Sequence, residues 1–134
     1  MKRLFVALSL VLLAGVSAPA QEGKWRQANE KELKGLIPAR ATVEKERIET
    51  EMRTASGVTD GEGKFIAGVV MITAGYAAEG KYSHFFITHV PISMGDMKLS
   101  PGEYVFGTKR VDTNTLQVSF YEAVTGKPMG SVNA

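Results

Sequence analysis

The chain has 134 residues, no cysteine, two histidines, and 16 basic against 14 acidic residues. That length suits one domain with a core of its own, and the missing thiols exclude disulfides, thiolate metal sites and cysteine nucleophiles. Without Lys2 and Arg3 the basic residues number 14, equal to the acidic ones, a balance that argues against nucleic acid and against an anionic membrane surface as partners.

Lys2 and Arg3 precede an apolar run from Leu4 to Ala14 broken only by Ser9, and Ala18-Pro19-Ala20 follow. Positive charges, an apolar segment and small residues in that order form a secretory signal peptide. Cleavage is expected after Ala20, leaving residues 21–134 as a single β-rich domain, secreted or periplasmic. The apolar run is 11 residues, short of the roughly 20 that cross a bilayer as a helix, so no membrane span is expected after cleavage.

Asn29 stands three residues before Glu32, the pattern of a capping box. Leu33, Leu36 and Ile37 follow at helical spacing and Pro38 ends the run, which predicts one short amphipathic helix over Glu30 to Ile37. From Thr42 to Ser56, Arg47, Glu49, Glu51 and Arg53 alternate with Ile48, Thr50, Met52 and Thr54. The same residues are good helix formers, but the alternation and the turn-rich stretch Gly57 to Gly63 predict a half-buried strand near the sheet edge.

Lys64 to Val90 reads as the central hairpin. Phe65, Ile66, Val69, Val70, Met71 and Ile72 leave neither face polar, the signature of a strand covered on both sides. Tyr82 to Val90 carries large groups on both faces, and Gly75 to Lys81 supplies the reversal. A loop is expected from Ser93 to Ser100, strands over Glu103 to Arg110 and Thr115 to Ala123, and a closing strand over Met129 to Val132. The sum is a mainly β fold: an antiparallel β-sandwich or small barrel of about six strands with one short N-terminal helix.

Gly75-x-x-x-x-Gly80-Lys81 resembles part of a phosphate-binding loop, but Tyr82 replaces the Ser or Thr that would hold magnesium and a strand follows instead of a helix. It reads as a turn. His84 and His89, five apart on one strand, point to opposite faces and cannot chelate one metal together. Asp96, Glu103 and Glu122 offer no diagnostic ligand spacing, so no metal or cofactor is expected. Ser83 and His84, as strand neighbours, should point apart, which argues against a nucleophile–base pair. The alternating carboxylates Glu44, Glu46, Glu49 and Glu51 read as a solvated face with Lys45, Arg47 and Arg53.

The candidate ligand-binding residues are Tyr82, His84, His89 and Tyr121, aromatic or titratable groups on the strands. They fit a non-enzymatic binding or interaction module whose partner is an unknown protein. One alternative is a carrier of a small apolar ligand inside a barrel. Another is a hydrolase or metal-dependent enzyme using His84 or His89.

The stretches LSPGEYVFGTKR, residues 99–110, and LQVSFYEAVTGKPMG, residues 116–130, resemble segments of small secreted bacterial β-proteins of unassigned function. YEAVTGKPMG, residues 121–130, is similar to the opening strand and turn of carboxypeptidase-regulatory-like, transthyretin-like sandwich domains. In those domains six strands follow the turn, whereas here only Met129 to Ala134 remain. The resemblance implies a β-sandwich and transfers no site residue.

Overall fold

The computed structural model describes residues 25–134; residues 1–20, expected to be a signal peptide, lie outside the described residues. Ten strands and one helix follow in the order β1 (Arg26–Gln27), α1 (Glu30–Leu36), β2 (Arg40–Val43), β3 (Glu46–Thr59), β4 (Phe65–Met71), β5 (His84–Thr88), β6 (Ile92–Met94), β7 (Met97–Leu99), β8 (Gly102–Asp112), β9 (Thr115–Glu122) and β10 (Pro128–Asn133).

The capping box at the start of α1 is present. Asn29 Oδ1 accepts from the Glu32 N–H at 2.8 Å, and Glu32 Oε1 accepts from the Asn29 N–H at 2.9 Å. Both carboxylate oxygens of Glu32 also receive the Arg26 guanidinium, at 2.8 and 2.7 Å. Hydrogen bonds from Arg26, then from the Asn29 backbone, hold the Glu32 carboxyl down at about 2. One side chain thus caps the helix and ties it to β1. Leu33 and Ile37 face inward and are buried.

Eight strands form one antiparallel sheet in the order β1-β3-β4-β5-β8-β9-β10, with β2 alongside β3; β6 and β7 form a separate hairpin. Two expectations need correction. The main sheet alone has more than six strands, because β1 is two residues long, too short for alternation to reveal, and because the one strand expected over Thr42 to Ser56 is two, β2 and β3. Outside that sheet, the loop expected over Ser93 to Ser100 holds the β6–β7 hairpin. The sheet is also not closed into a barrel. The turns of its two terminal hairpins, β2–β3 and β9–β10, meet at a backbone hydrogen bond from the Glu44 N–H to the Ala123 carbonyl, 2.8 Å.

The stretch from Thr42 to Ser56 is extended, as its alternation predicts, but it is two strands. A turn at Glu44 and Lys45 separates β2 from β3, and Glu44 has a φ of 55°, which only this non-glycine residue among those described shares with the left-handed region. The alternation survives the turn because a two-residue reversal preserves which side faces in. Strand β3 then breaks register against β4 between Glu51 and Ser56. There Thr54 Oγ1 donates to the Glu51 carbonyl at 2.7 Å and accepts the Val70 N–H at 3.0 Å. The side chain takes over hydrogen bonds the bulged ladder cannot make.

Strand β4 is central, between β3 and β5. Its inner face, Ala67, Val69 and Met71, packs with Phe85 and Ile87 of β5 and with Leu33 and Ile37 in the main core. The outer face is different. A second cluster of Tyr104, Phe120, Met97 and Leu99 is covered by the β6–β7 hairpin, with Phe86 and Phe106 partly buried at its border. Beyond that border Ile66, Gly68 and Val70 remain half-buried. A strand expected to be covered on both sides is covered on only one by the described residues.

Candidate functional site: an uncharged groove on the outer face

The uncovered part of the outer face forms a groove of about 460 Å³. Two ladder rows build it. Ser56, Gly68, Phe86 and Tyr104 lie opposite one another across β3, β4, β5 and β8, and Glu51, Val70, His84, Phe106 and Phe120 make the next row. Their rings form a connected array. His84 stacks on Phe106 with centroids 4.6 Å apart and planes at 4°, and Phe86 stands edge-on to Phe106 at 6.5 Å and to Phe120 at 5.8 Å. The floor of the groove carries no Asp, Glu, Lys or Arg, but Glu51, ion-paired with Arg53 at 2.6 Å, stands at the end of the second row. Burial pushes the His84 imidazole below its ordinary pKa, so the ring is neutral at pH 7.

Ser83 Oγ lies 2.7 Å from His84 Nδ1, which corrects the expectation that the two side chains diverge. Ser83 precedes the first residue of β5, so strand alternation does not govern it. The contact occupies one ring nitrogen of His84.

The four residues singled out from the sequence fall in three places. His84 lines the groove. Tyr82 and Tyr121 sit on the inner face, edge to face with centroids 4.9 Å apart, and Lys81 Nζ lies 5.0 and 5.1 Å from their ring centres. Tyr82 is 2% exposed and its hydroxyl donates to Glu44 Oε2 at 2.7 Å. Burial, then the Glu44 bond, raises the Tyr82 pKa. His89 is at the far end of β5, where its Nδ1 accepts the Phe65 N–H at 3.0 Å and its ring stands edge-on to Phe65. That bond extends the β4–β5 ladder by one side chain.

Gly75 and Gly80 have φ of 88° and 81° in the β4–β5 connection, and Lys81 leads toward β5; the Gly-rich motif is a pair of turns. Among the described residues, no group of three or more His, Asp or Glu could hold a metal ion. A second hollow of about 490 Å³ lies between α1 and β3. Lys34 and Arg53 at its rim are already paired with Glu30 and Glu51. Sequence reasoning passed over Gly68, although a glycine inside a β-branched strand is a sign of close approach by something else. No family model, curated protein or solved structure matches this chain.

Proposed function

We propose that this protein is a secreted, non-enzymatic interaction module and that the outer-face groove is its recognition surface. The observation that supports the reading is the half-buried apolar strip Ile66–Gly68–Val70 beside the Phe86–Phe106–His84 array, left uncovered by the described residues, with the Glu51–Arg53 ion pair at its edge. Apolar surface of this kind gains free energy by being covered, at about 25 cal/mol per Å². A partner protein suits it better than an enclosed apolar ligand, because the sheet is open and a small molecule resting on it would stay partly in water. Secretion rests on the leader pattern of residues 1–20.

Site-specific photo-crosslinking in the producing cells tests the reading. A photoreactive group at exposed Ser56, on the groove rim, should give a discrete adduct of one partner. The same group at exposed Thr113, in the β8–β9 turn, should not. Equal adducts from both positions, or none from Ser56, would remove the groove as the recognition surface. The mass of the recovered chain checks cleavage after Ala20 in the same sample.

A further inference from the structure

The β6–β7 hairpin covers part of the outer face without belonging to the sheet. Its two strands pair only with each other, and among the described residues no hydrogen bond joins the stretch from Ile92 to Leu99 to another element. Side-chain packing holds it in place. By the two-residue period of a strand, Ser93 and Lys98 point to solvent while Ile92, Met94, Met97 and Leu99 face the sheet. There they pack in one cluster with Tyr104, Phe120, Met129 and Val132.

The cluster is rich in methionine. Of the five methionines among the described residues, Met94, Met97 and Met129 lie in it, whereas Met71 and Met52 belong to the main core. Met94 and Met97 are direct cross-strand partners that meet water differently. Met97 is buried, with its sulfur against β10, 3.3 Å from where a Cβ on Gly130 would be. Met94 is half-buried and lines a hollow of about 420 Å³ with Asp96 and Val132. A small oxidant entering that hollow reaches the Met94 thioether first.

The relevant chemistry is that of hydrogen peroxide with a thioether. The sulfur lone pair attacks one peroxide oxygen, the O–O bond breaks, and the departing hydroxide takes the remaining proton and leaves as water. Sulfur is oxidised by two electrons to the sulfoxide, and the peroxide is reduced. A sulfoxide carries a strong dipole where the thioether was apolar, and burying it among Leu99 and Phe120 costs its hydration with no partner in return. Turning it out into the hollow restores hydration, withdraws one of the four side chains that hold the hairpin, and uncovers Met97.

We propose that the β6–β7 hairpin is a redox latch: peroxide oxidation of Met94 releases it from the sheet and opens Met97 to the same reaction. Release uncovers Tyr104 and Phe120. Two thiols return the sulfoxide to the thioether, leaving a disulfide and water, and the hairpin closes again. The latch acts whether or not the groove beside it binds a partner.

The test treats the folded protein with hydrogen peroxide and follows each methionine by peptide mass spectrometry. NMR contacts between the Leu99 methyls and the Tyr104 and Phe120 rings are read in the same samples. Met94 should oxidise before Met97, and the hairpin contacts should vanish as the Met94 sulfoxide forms, while the Val69 and Ile87 methyls of the main core keep their signals. Methionine sulfoxide reductase with dithiothreitol should restore the contacts. Met94→Leu keeps an apolar side chain without the sulfur, so its contacts should survive peroxide and its Met97 should oxidise at least about tenfold more slowly than the parent's. Met94→Gln puts a polar amide in the same place. It should open the hairpin without peroxide, and it serves if the leucine variant does not fold. Met94 left unreacted while Met52 oxidises, contacts that persist beside the Met94 sulfoxide or in Met94→Gln, or Met97 oxidised as fast in Met94→Leu as in the parent overturns the latch. Loss of the Val69 and Ile87 signals together with the hairpin contacts overturns it as well, in favour of general unfolding.

Discussion

The Tyr82 hydroxyl donates a 2.7 Å hydrogen bond to the Glu44 carboxylate, 38 residues earlier in the chain. Glu44 in turn gives its N–H to Ala123, and its side chain lies where a Cβ on Gly126 would be, at 2.8 Å. One turn residue with a left-handed backbone therefore joins the two terminal hairpins of an open sheet. The strain of that backbone, roughly 1 kcal/mol or more for a non-glycine residue, is sustained by these contacts.

Tyr82→Phe removes the phenol donor and leaves the ring packed on Tyr121. Because the Glu44 side can be rehydrated, the expected cost is about 1 kcal/mol, which lowers the melting midpoint by several degrees for a domain of this size. Glu44→Gln keeps an acceptor and should cost less. Urea denaturation of Tyr82→Phe, Glu44→Ala and the double variant reads the coupling; additive losses would show that the bond contributes nothing to holding the seam.

Glu32 titrates at about 2 in the folded chain against 4.5 ordinarily, first through the Arg26 hydrogen bond and then through the Asn29 cap. A lowered carboxyl pKa means the folded state binds fewer protons than the unfolded one, so this contribution is complete above about 4.5 and fades as pH falls toward 2. Urea midpoints measured from pH 6 to pH 2 should drop less steeply for Glu32→Gln than for the parent. Parallel curves would mean that the pair is solvated away.

His84 works in a separate window with the same sign. Burial lowers its pKa, so above about 6.5 both states hold a neutral ring, and below it the unfolded chain takes up a proton that the folded chain resists. Stability should fall between pH 7.5 and 5, and His84→Gln should lack that fall. Identical pH dependence in both proteins would place His84 in water.

Much of this fold is legible in short patterns. The Asn29–Glu32 box, the stop at Pro38, and the alternation of Leu116, Val118 and Phe120 are local, set by hydrogen-bond geometry within a turn or by the two-residue period of a strand. Their elements lie where those patterns put them. The strands β1, β6 and β7 were not legible, because two or three residues carry no period and are extended only through what they pair with. The candidate site was less legible still. Tyr82, His84, His89 and Tyr121 share a chemistry but not a location: strand alternation would put Tyr82 and His84 on one face, but Tyr82 precedes β5 and joins Tyr121 within, while His84, its first residue, faces outward.

By itself, the order of residues determined a cysteine-free, antiparallel, mainly β chain with one capped helix and an apolar central hairpin. Only the tertiary structure decided that the sheet stays open and that Glu44 bridges its terminal hairpins. It also decided that one face of β4 is left uncovered by the described residues. The physical reason is range. A turn or an alternation is enforced by neighbours a few residues away, whereas cover and empty space depend on segments brought together from across the chain.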